Sequence, residues 1–295
     1  MEDGDAGLLY VTAPDGATIA AKVIVPARPA VATLLLVPGL GYGPWSWAPQ
    51  RAEFAAGYQL VLLHNRGTGQ SDAPTGPYSI DTLADDAAAV LRSLGSPPTH
   101  VMGTSMGGYV SLQLAAAHPD LVASVVVIAS SPGGPGALPV PEQTAMLWRD
   151  HAHLPSEEFA RRTMPNSFAP GWTEAHSREY AELLAARMAS PVSPEAWAAQ
   201  SAACEEFLTH GLRGVGPHQP VTGIHGTADG VVPFENLAEL GRQLPQAQRI
   251  ALRGAGHLCW LERPGDVNEA IRDHLARAGA APGLAVPIRP RAESC

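Results

Sequence analysis

The sequence predicts an α/β protein with a mostly parallel central sheet flanked by helices and a helical cap inserted after the sixth strand. Three observations carry that expectation. Short, wholly apolar runs such as 33–37 (TLLLV) and 125–130 (VVVIAS) have the composition of strands covered by helices on both faces. Between residues 33 and 130 these runs alternate with helical stretches, as a parallel sheet with right-handed crossovers requires. From Ser131 the alternation gives way to purely helical patterning, and it resumes at Val221.

At the N-terminal end, 8–12 and 17–25 are β-rich runs joined by Ala13-Pro14-Asp15-Gly16, which has the composition of a hairpin turn, so an antiparallel edge is expected. The buried strand 33–37 runs into Pro38-Gly39-Leu40-Gly41-Tyr42-Gly43. A glycine-rich loop at the C-terminal end of a central strand is where α/β sheets bind ligands, although a plain turn has the same composition. A short helix is expected over 45–55 and a second buried strand over 59–63. The polar loop 64–72 (HNRGTGQSD) lacks the lysine of a P-loop and opens no helix directly, so a nucleotide cradle is a poor reading. Ser79 or Asp81 can cap a helix that presents Leu83, Ala87, Val90, Leu91 and Leu94 on one face and ends at Gly95.

The chain is organised around the stretch 99–118, where an apolar strand enters Gly103-Thr104-Ser105-Met106-Gly107 and a helix leaves it. This is the G-x-S-x-G arrangement of strand, sharp turn and helix. The turn is tight enough that the positions two before and two after the serine must be small. It lifts the Ser105 hydroxyl above the sheet and aims the first free N–H groups of the new helix at whatever the hydroxyl attacks.

After the strand 125–130, residues 131–137 read as loop and 141–212 contain only helical segments, near 141–152, 156–163, 173–189 and 194–210. The expected division is a core of 1–130 and 216–279, a helical cap of 131–215, and a disordered tail of 280–295. Most of the cap's aromatic side chains would form its own core, with one or two left to face a substrate. Strand 221–225, helix 234–244, strand 249–252 and a last helix from Pro264 to about Ala278 complete the pattern.

A serine hydroxyl is a poor nucleophile at neutral pH unless a base lies within hydrogen-bond reach and a carboxylate fixes the base's tautomer. Asp229, in HGTADG, and His257, in GAGH, each sit in a glycine-flanked loop just after an expected strand. All three side chains would therefore emerge at one edge of the sheet. A lone Asp is more often a helix cap and a lone His more often packed, but three residues at three consistent loop positions, in the order Ser, Asp, His, make a candidate triad.

Composition bounds the partners. The 295 residues carry a net charge of −9, which disfavours nucleic acid and anionic membranes, and a small-molecule substrate fits better. The acidic start MEDGDAG is not a signal peptide, and no run of about eighteen apolar residues occurs, so a cytoplasmic protein is expected. A homodimer is left as an open alternative. Cys204, Cys259 and Cys295 are too far apart for a metal pair and odd in number, so free thiols are expected. Lys22 is the only lysine among many alanines, glycines and prolines, which suggests a GC-rich bacterial source.

Taken together, the segments PGLGYGPWSW, NRGTGQSD, GTSMGG, HGTADGVVP and GAGH resemble the α/β-hydrolase fold superfamily, in its capped group of carboxylesterases, lactonases, C–C bond hydrolases and polyketide methylesterases. The resemblance spans about residues 8–278. It implies an oxyanion hole formed by the backbone N–H groups of Leu40 and Met106. Pro38 stands where the family usually has histidine, which leaves open whether Leu40 or Gly41 donates. A serine at 105 sets the chain apart from dehalogenases and epoxide hydrolases, whose elbows carry aspartate. The resemblance implies ester or lactone hydrolysis without metal or organic cofactor. C–C hydrolysis, acyl transfer or cyclisation, and a non-catalytic receptor are the alternatives. Gly41, Tyr42, Trp45, Trp148 and Trp260 are expected to contact substrate.

Overall fold

The computed structural model describes residues 6–214 and 216–279. A hairpin of β1 (Ala6–Thr12) and β2 (Thr18–Ile24) leads to β3 (Thr33–Val37). A single tight turn over Pro44–Trp47 precedes α1 (Ala48–Phe54) and β4 (Gln59–Leu63), so the helix expected over 45–55 begins three residues later. Helix α2 (Ile80–Leu94) is capped by Ser79, whose hydroxyl accepts from the Thr82 N–H, and stops at Gly95, which adopts φ 58°. Then come β5 (Thr99–Thr104), α3 (Met106–Ala117) and β6 (Val122–Ile128).

Between β6 and the next strand the described residues form five α-helices and a short 3-10 turn over Met164–Ser167. The α-helices, in chain order, are α4 (Glu142–His151), α5 (Ser156–Thr163), α6 (Trp172–Ala175), α7 (Ser177–Met188) and α8 (Pro194–His210). The segment expected as one helix over 173–189 is divided at His176, which leaves helical geometry at φ −123°, ψ 46°. The chain then closes with β7 (Val221–Gly226), α9 (Asn236–Gln243), β8 (Gln248–Leu252), α10 (Cys259–Glu262) and α11 (Pro264–Gly279). The tail expected to be disordered lies outside the described residues. Among the described residues no helix is long and apolar enough to cross a membrane, and Cys204 and Cys259 are free.

The strand order is β1-β2-β4-β3-β5-β6-β7-β8, with β1, β2 and β4 paired antiparallel and the rest parallel. Successive residues of a strand point to opposite faces, so a strand covered on both sides is mostly apolar on both. Strand β3 shows this: Leu35 and Val37 enter one core with α2 and α3, while Leu34 and Leu36 enter the other with Trp47, Trp260 and α11. The order reverses at β3, since β4 lies on one side of it and β5 on the other. In open α/β sheets such a switch point leaves a crevice at the strands' C-terminal ends. Register brings those ends level: Val37 pairs with Gly103, Thr104 with Ile128, Ile128 with Ile224, and Gly226 with Leu252.

Candidate active site

The turn between β5 and α3 holds Ser105 at φ 52°, ψ −120°, a conformation that non-glycine residues rarely adopt. Close packing explains the flanking glycines. A Cβ on Gly103 would lie 2.0 Å from the Gly107 carbonyl oxygen, and one on Gly107 would lie 2.1 Å from that of Val37. The strained turn is held from outside. The Ser105 N–H donates to the Ile128 carbonyl at 2.9 Å, and the Ser130 hydroxyl donates to the Ser105 carbonyl at 2.8 Å.

Asp229 and His257 sit in the loops that follow β7 and β8. The imidazole Nδ1 lies 2.9 Å from Asp229 Oδ2, and the carboxylate is fully buried. Its other oxygen, Oδ1, accepts from the N–H groups of Val231 at 2.8 Å and Val232 at 2.9 Å. A further partner is His225, whose Nε2 lies 3.1 Å from Asp229 Oδ2 and 3.0 Å from the Val232 carbonyl oxygen. Both neighbours of that nitrogen are acceptors, so it carries the proton. Burial alone would raise the Asp229 pKa. The adjoining His257 and His225, by charge and hydrogen bonds, outweigh burial and hold it well below the usual carboxylate range. Asp229 is therefore an anion that orients His257 with Nδ1–H toward itself and Nε2 toward the cavity.

The histidine loop is clamped by Glu262, whose carboxylate accepts from the N–H groups of Gly256 at 3.1 Å and of Ala169 at 2.8 Å. The Leu258 N–H donates to the Ser167 carbonyl at 2.9 Å. Burial pushes the Glu262 pKa up, against those two backbone N–H groups.

The loop after β3 is anchored despite its departure from the expected histidine. Asn65 Nδ2 donates to the Pro38 carbonyl at 3.0 Å, and a turn closes from the Tyr42 N–H to the Gly39 carbonyl at 3.1 Å. The Gly41 N–H donates to Gln200 Oε1 at 2.8 Å. The Leu40 and Met106 N–H groups have no acceptor among the described residues. Gly41 is thus occupied, whereas the Leu40 N–H is open and Leu40 borders the cavity that holds Ser105.

Ser105, His257, Leu40, Tyr42, Trp148 and Trp260 line one cavity. A wider cleft of about 1780 Å³ also reaches Ser105 and Leu40, between α4 and α8, with Tyr109, Val140, Trp148 and Leu208 on its walls. Gly41 instead lines a separate chamber within the inserted helices. Trp45 packs against Tyr42, ring centroids 5.2 Å apart, and lines none of these cavities. The expected substrate contact at Trp45 is therefore replaced by a supporting one. The Met106 side chain is fully buried in the core, so only its backbone faces the site.

Four neighbours of the site escaped sequence reasoning: His225, Glu262, Gln200 and Arg187. His225 stands four residues before Asp229, near the end of β7, and that spacing was its only signal. Arg187 lines the cavity of Ser105 and His257 from α7, held over the Tyr42 ring at 4.8 Å and donating to its hydroxyl at 3.2 Å.

Residues 32–264 match the model of the alpha/beta hydrolase fold family, and the chain belongs to that family. Among curated proteins it is 28% identical over 258 residues to 2-hydroxymuconate semialdehyde hydrolase of Pseudomonas sp. (strain CF600), covering 84% of this chain and 88% of that one. Among solved structures it is similar to the enol-lactonase of Burkholderia xenovorans LB400, with a TM-score of 0.76, 24% identity, and coverage of 91% of this chain and 100% of that one. It is also similar to a thermophilic esterase from Thermogutta terrifontis, with a TM-score of 0.75, 23% identity, and coverage of 92% and 99%. At such identities the structural likeness speaks for the fold.

Proposed function

We propose that the protein is a serine hydrolase that cleaves a carboxylic ester or lactone of a small, apolar or aromatic molecule. The observation that carries this reading is the buried Asp229 carboxylate bonded to His257 Nδ1, with His257 and Ser105 on the wall of one cavity. In this mechanism His257 Nε2 takes the Ser105 proton as Oγ attacks the carbonyl carbon, and the Leu40 and Met106 amides stabilise the oxyanion. The imidazolium, stabilised by Asp229, returns the proton to the leaving oxygen. An acyl-enzyme remains. His257 then deprotonates a water that attacks it, restoring Ser105 and releasing the acid. Every step is carried by side-chain and main-chain groups of this chain.

In the same reading residues 131–215 form a cap over a core of 1–130 and 216–279. The apolar cleft between α4 and α8 takes the larger, apolar half of the substrate, and the smaller cavity beside His257 and Arg187 takes the other half. C–C bond hydrolysis is the second reading. It is favoured by the 28% identity to 2-hydroxymuconate semialdehyde hydrolase, since the same three residues can serve it.

The test is a fluorophosphonate probe combined with p-nitrophenyl ester turnover. The probe is expected to label Ser105 of the wild type and miss Ser105→Ala, whose kcat falls at least about 10³-fold while the fold is kept. Labelling at another residue, or an active Ser105→Ala protein, would refute the assignment.

A further inference from the structure

We propose that Gln200, on the inserted helix α8, is a positioning residue that sets the conformation of the oxyanion loop, so that seating α8 completes the catalytic site. The inference rests on the serine-hydrolase reading above.

The Gln200 side chain is fully buried, and both ends of its amide are used. Oε1 accepts from the Gly41 N–H at 2.8 Å, and Nε2 donates to the Arg66 carbonyl at 2.9 Å. A donor on one side and an acceptor on the other leave one orientation for the amide, since a flip would set like against like. The Arg66 end is rigid: its guanidinium is buried and bonded to Asp86 through two nitrogens, at 2.6 and 2.7 Å. Gln200 therefore ties Gly41 to a fixed point of the core.

That tie decides which amide of the loop is left open. Gly41 adopts φ +68°, and around it the loop is held by the Asn65 amide on the Pro38 carbonyl, the 39–42 turn, the Ser46 N–H and hydroxyl on the Gly43 carbonyl, and the packing of Leu40 and Tyr42 against the core, none of which engages the Gly41 N–H. Pinning the Gly41 N–H fixes the peptide plane that follows Leu40. The adjoining Leu40 N–H stays without an acceptor and borders the cavity that holds Ser105.

Helix α8 is built into the core at several points. Its buried face is Ala196, Gln200, Ala203 and Phe207, spaced along one side of the helix. Glycines on separate loops clear space for it. A Cβ on Gly67 would lie 2.7 Å from that of Ala196, one on Gly76 would lie 3.1 Å from that of Ala199, and one on Gly133 would lie 2.4 Å from the Phe207 carbonyl oxygen. Phe207 stacks on Tyr109 of α3 with centroids 4.9 Å apart, and α3 is the helix whose first N–H is that of Met106. One helix of the insertion thus bears on both proposed oxyanion donors. A segment that merely covered the substrate would not require this.

The test uses the full chain with Gln200→Met, which fills similar space but makes neither hydrogen bond, and Gln200→Glu, which keeps the acceptor for Gly41. A displaced donor of about 1 Å can cost about 10²-fold in rate. Gln200→Met is accordingly expected to lose about 10²-fold in kcat on p-nitrophenyl acetate with KM within about twofold of wild type, and Gln200→Glu to lose less. Affinity for a boronic acid, which places an oxygen where the oxyanion would sit, should fall in parallel. Backbone hydrogen exchange at Gly41 should accelerate whether or not an ester is turned over.

A folded Gln200→Met protein with kcat within about threefold of wild type, or with its loss confined to KM, overturns the proposal. Should Gln200→Met fail to fold, Gln200→Glu carries the same kinetic and exchange comparisons. Faster Gly41 exchange in a protein whose wild type turns over no ester would sink the hydrolase reading and leave the link standing. Turnover with unchanged exchange would sink the link.

Discussion

Replacing Asp229 by asparagine tests the site at its most constrained point. In the wild type four donors converge on the carboxylate. The Val231 and Val232 N–H groups meet Oδ1, while His257 Nδ1 and His225 Nε2 meet Oδ2. An asparagine is nearly isosteric but replaces one oxygen by an NH₂ group. The two backbone N–H groups cannot turn away, so the amide oxygen must stay with them and the NH₂ group must face the histidines. A donor facing His257 Nδ1 selects the tautomer with the proton on Nε2, where a base for Ser105 needs a lone pair. The anion that would stabilise the imidazolium is also gone. His225 suffers too, because its Nε2 proton, held by the Val232 carbonyl, now meets a second donor. The wrong tautomer in the serine-protease triad costs about 10⁴-fold in kcat, and the same order is expected here. The assay is p-nitrophenyl acetate hydrolysis alongside the fluorophosphonate labelling rate, with circular dichroism to show that the fold survives. Both rates should fall together. An Asp229→Asn protein within about tenfold of wild type would refute the assignment of the acid and with it the tautomer argument.

Two further predictions concern the frame. Gly107→Ala drives a methyl group toward the Val37 carbonyl and should destabilise the protein by more than about 3 kcal/mol. Gly57→Ala, where an added Cβ meets nothing, is the control, and thermal melting of the pair reads the difference. The second concerns pH. His274 is buried among Thr222, Ser124 and His100, with its Nδ1 2.8 Å from the Thr222 hydroxyl and its Nε2 2.8 Å from that of Ser124. Burial first, then the neighbouring His100 and Arg277, lower its pKa from 6.5 to about 4. A histidine that protonates more readily unfolded than folded gives stability that is complete above about pH 6.5 and is lost as pH falls toward 4. The loss amounts to about 3 kcal/mol. Urea unfolding at pH 7.5 and pH 5 should show it, and His274→Gln should flatten the slope; an unchanged slope would remove His274 as its source.

The legible part of the fold was the part governed by local rules. A strand covered on both faces is mostly apolar, so Thr33–Val37 and Val122–Ile128 announced themselves. The Ser79 cap and the Gly95 stop did the same for α2. The candidate triad was legible because each member follows a strand and is flanked by glycine. What stayed hidden depends on contacts between distant parts of the chain. Nothing near Gln200 in sequence points to Gly41, because the contact exists only once α8 is seated. Trp45 and Trp148 look equally suited to line a pocket. The turn at Pro44–Trp47 sets the first behind Tyr42, while α4 carries the second to the cavity wall. His225 looked like any packed histidine until the loop after β7 folded the Asp229 carboxylate back beneath it.

The ends of five adjacent strands divide the work at this site. The end of β3 supplies the loop of the free Leu40 amide, and β5 supplies Ser105. The ends of β7 and β8 supply Asp229 and His257. The end of β6 carries no reacting group: there Ala129 takes φ 50° and Ser130 donates to the Ser105 carbonyl. A Cβ on Gly108 would lie 2.2 Å from that Ser130 hydroxyl oxygen, so the position is packed tightly beneath the turn. In the proposed reading the strained turn of Ser105 needs support from something that cannot move, and a paired strand between it and the Asp229 loop provides it. The inserted helices then act on the remaining loops one by one, through Thr144 to the Gly230 carbonyl, Ser167 to Leu258, and Gln200 to Gly41. Changes on the cleft walls, such as at Val140 or Leu208, can therefore alter which substrates fit without touching these ties. Changes at the ties should slow the reaction for every substrate alike.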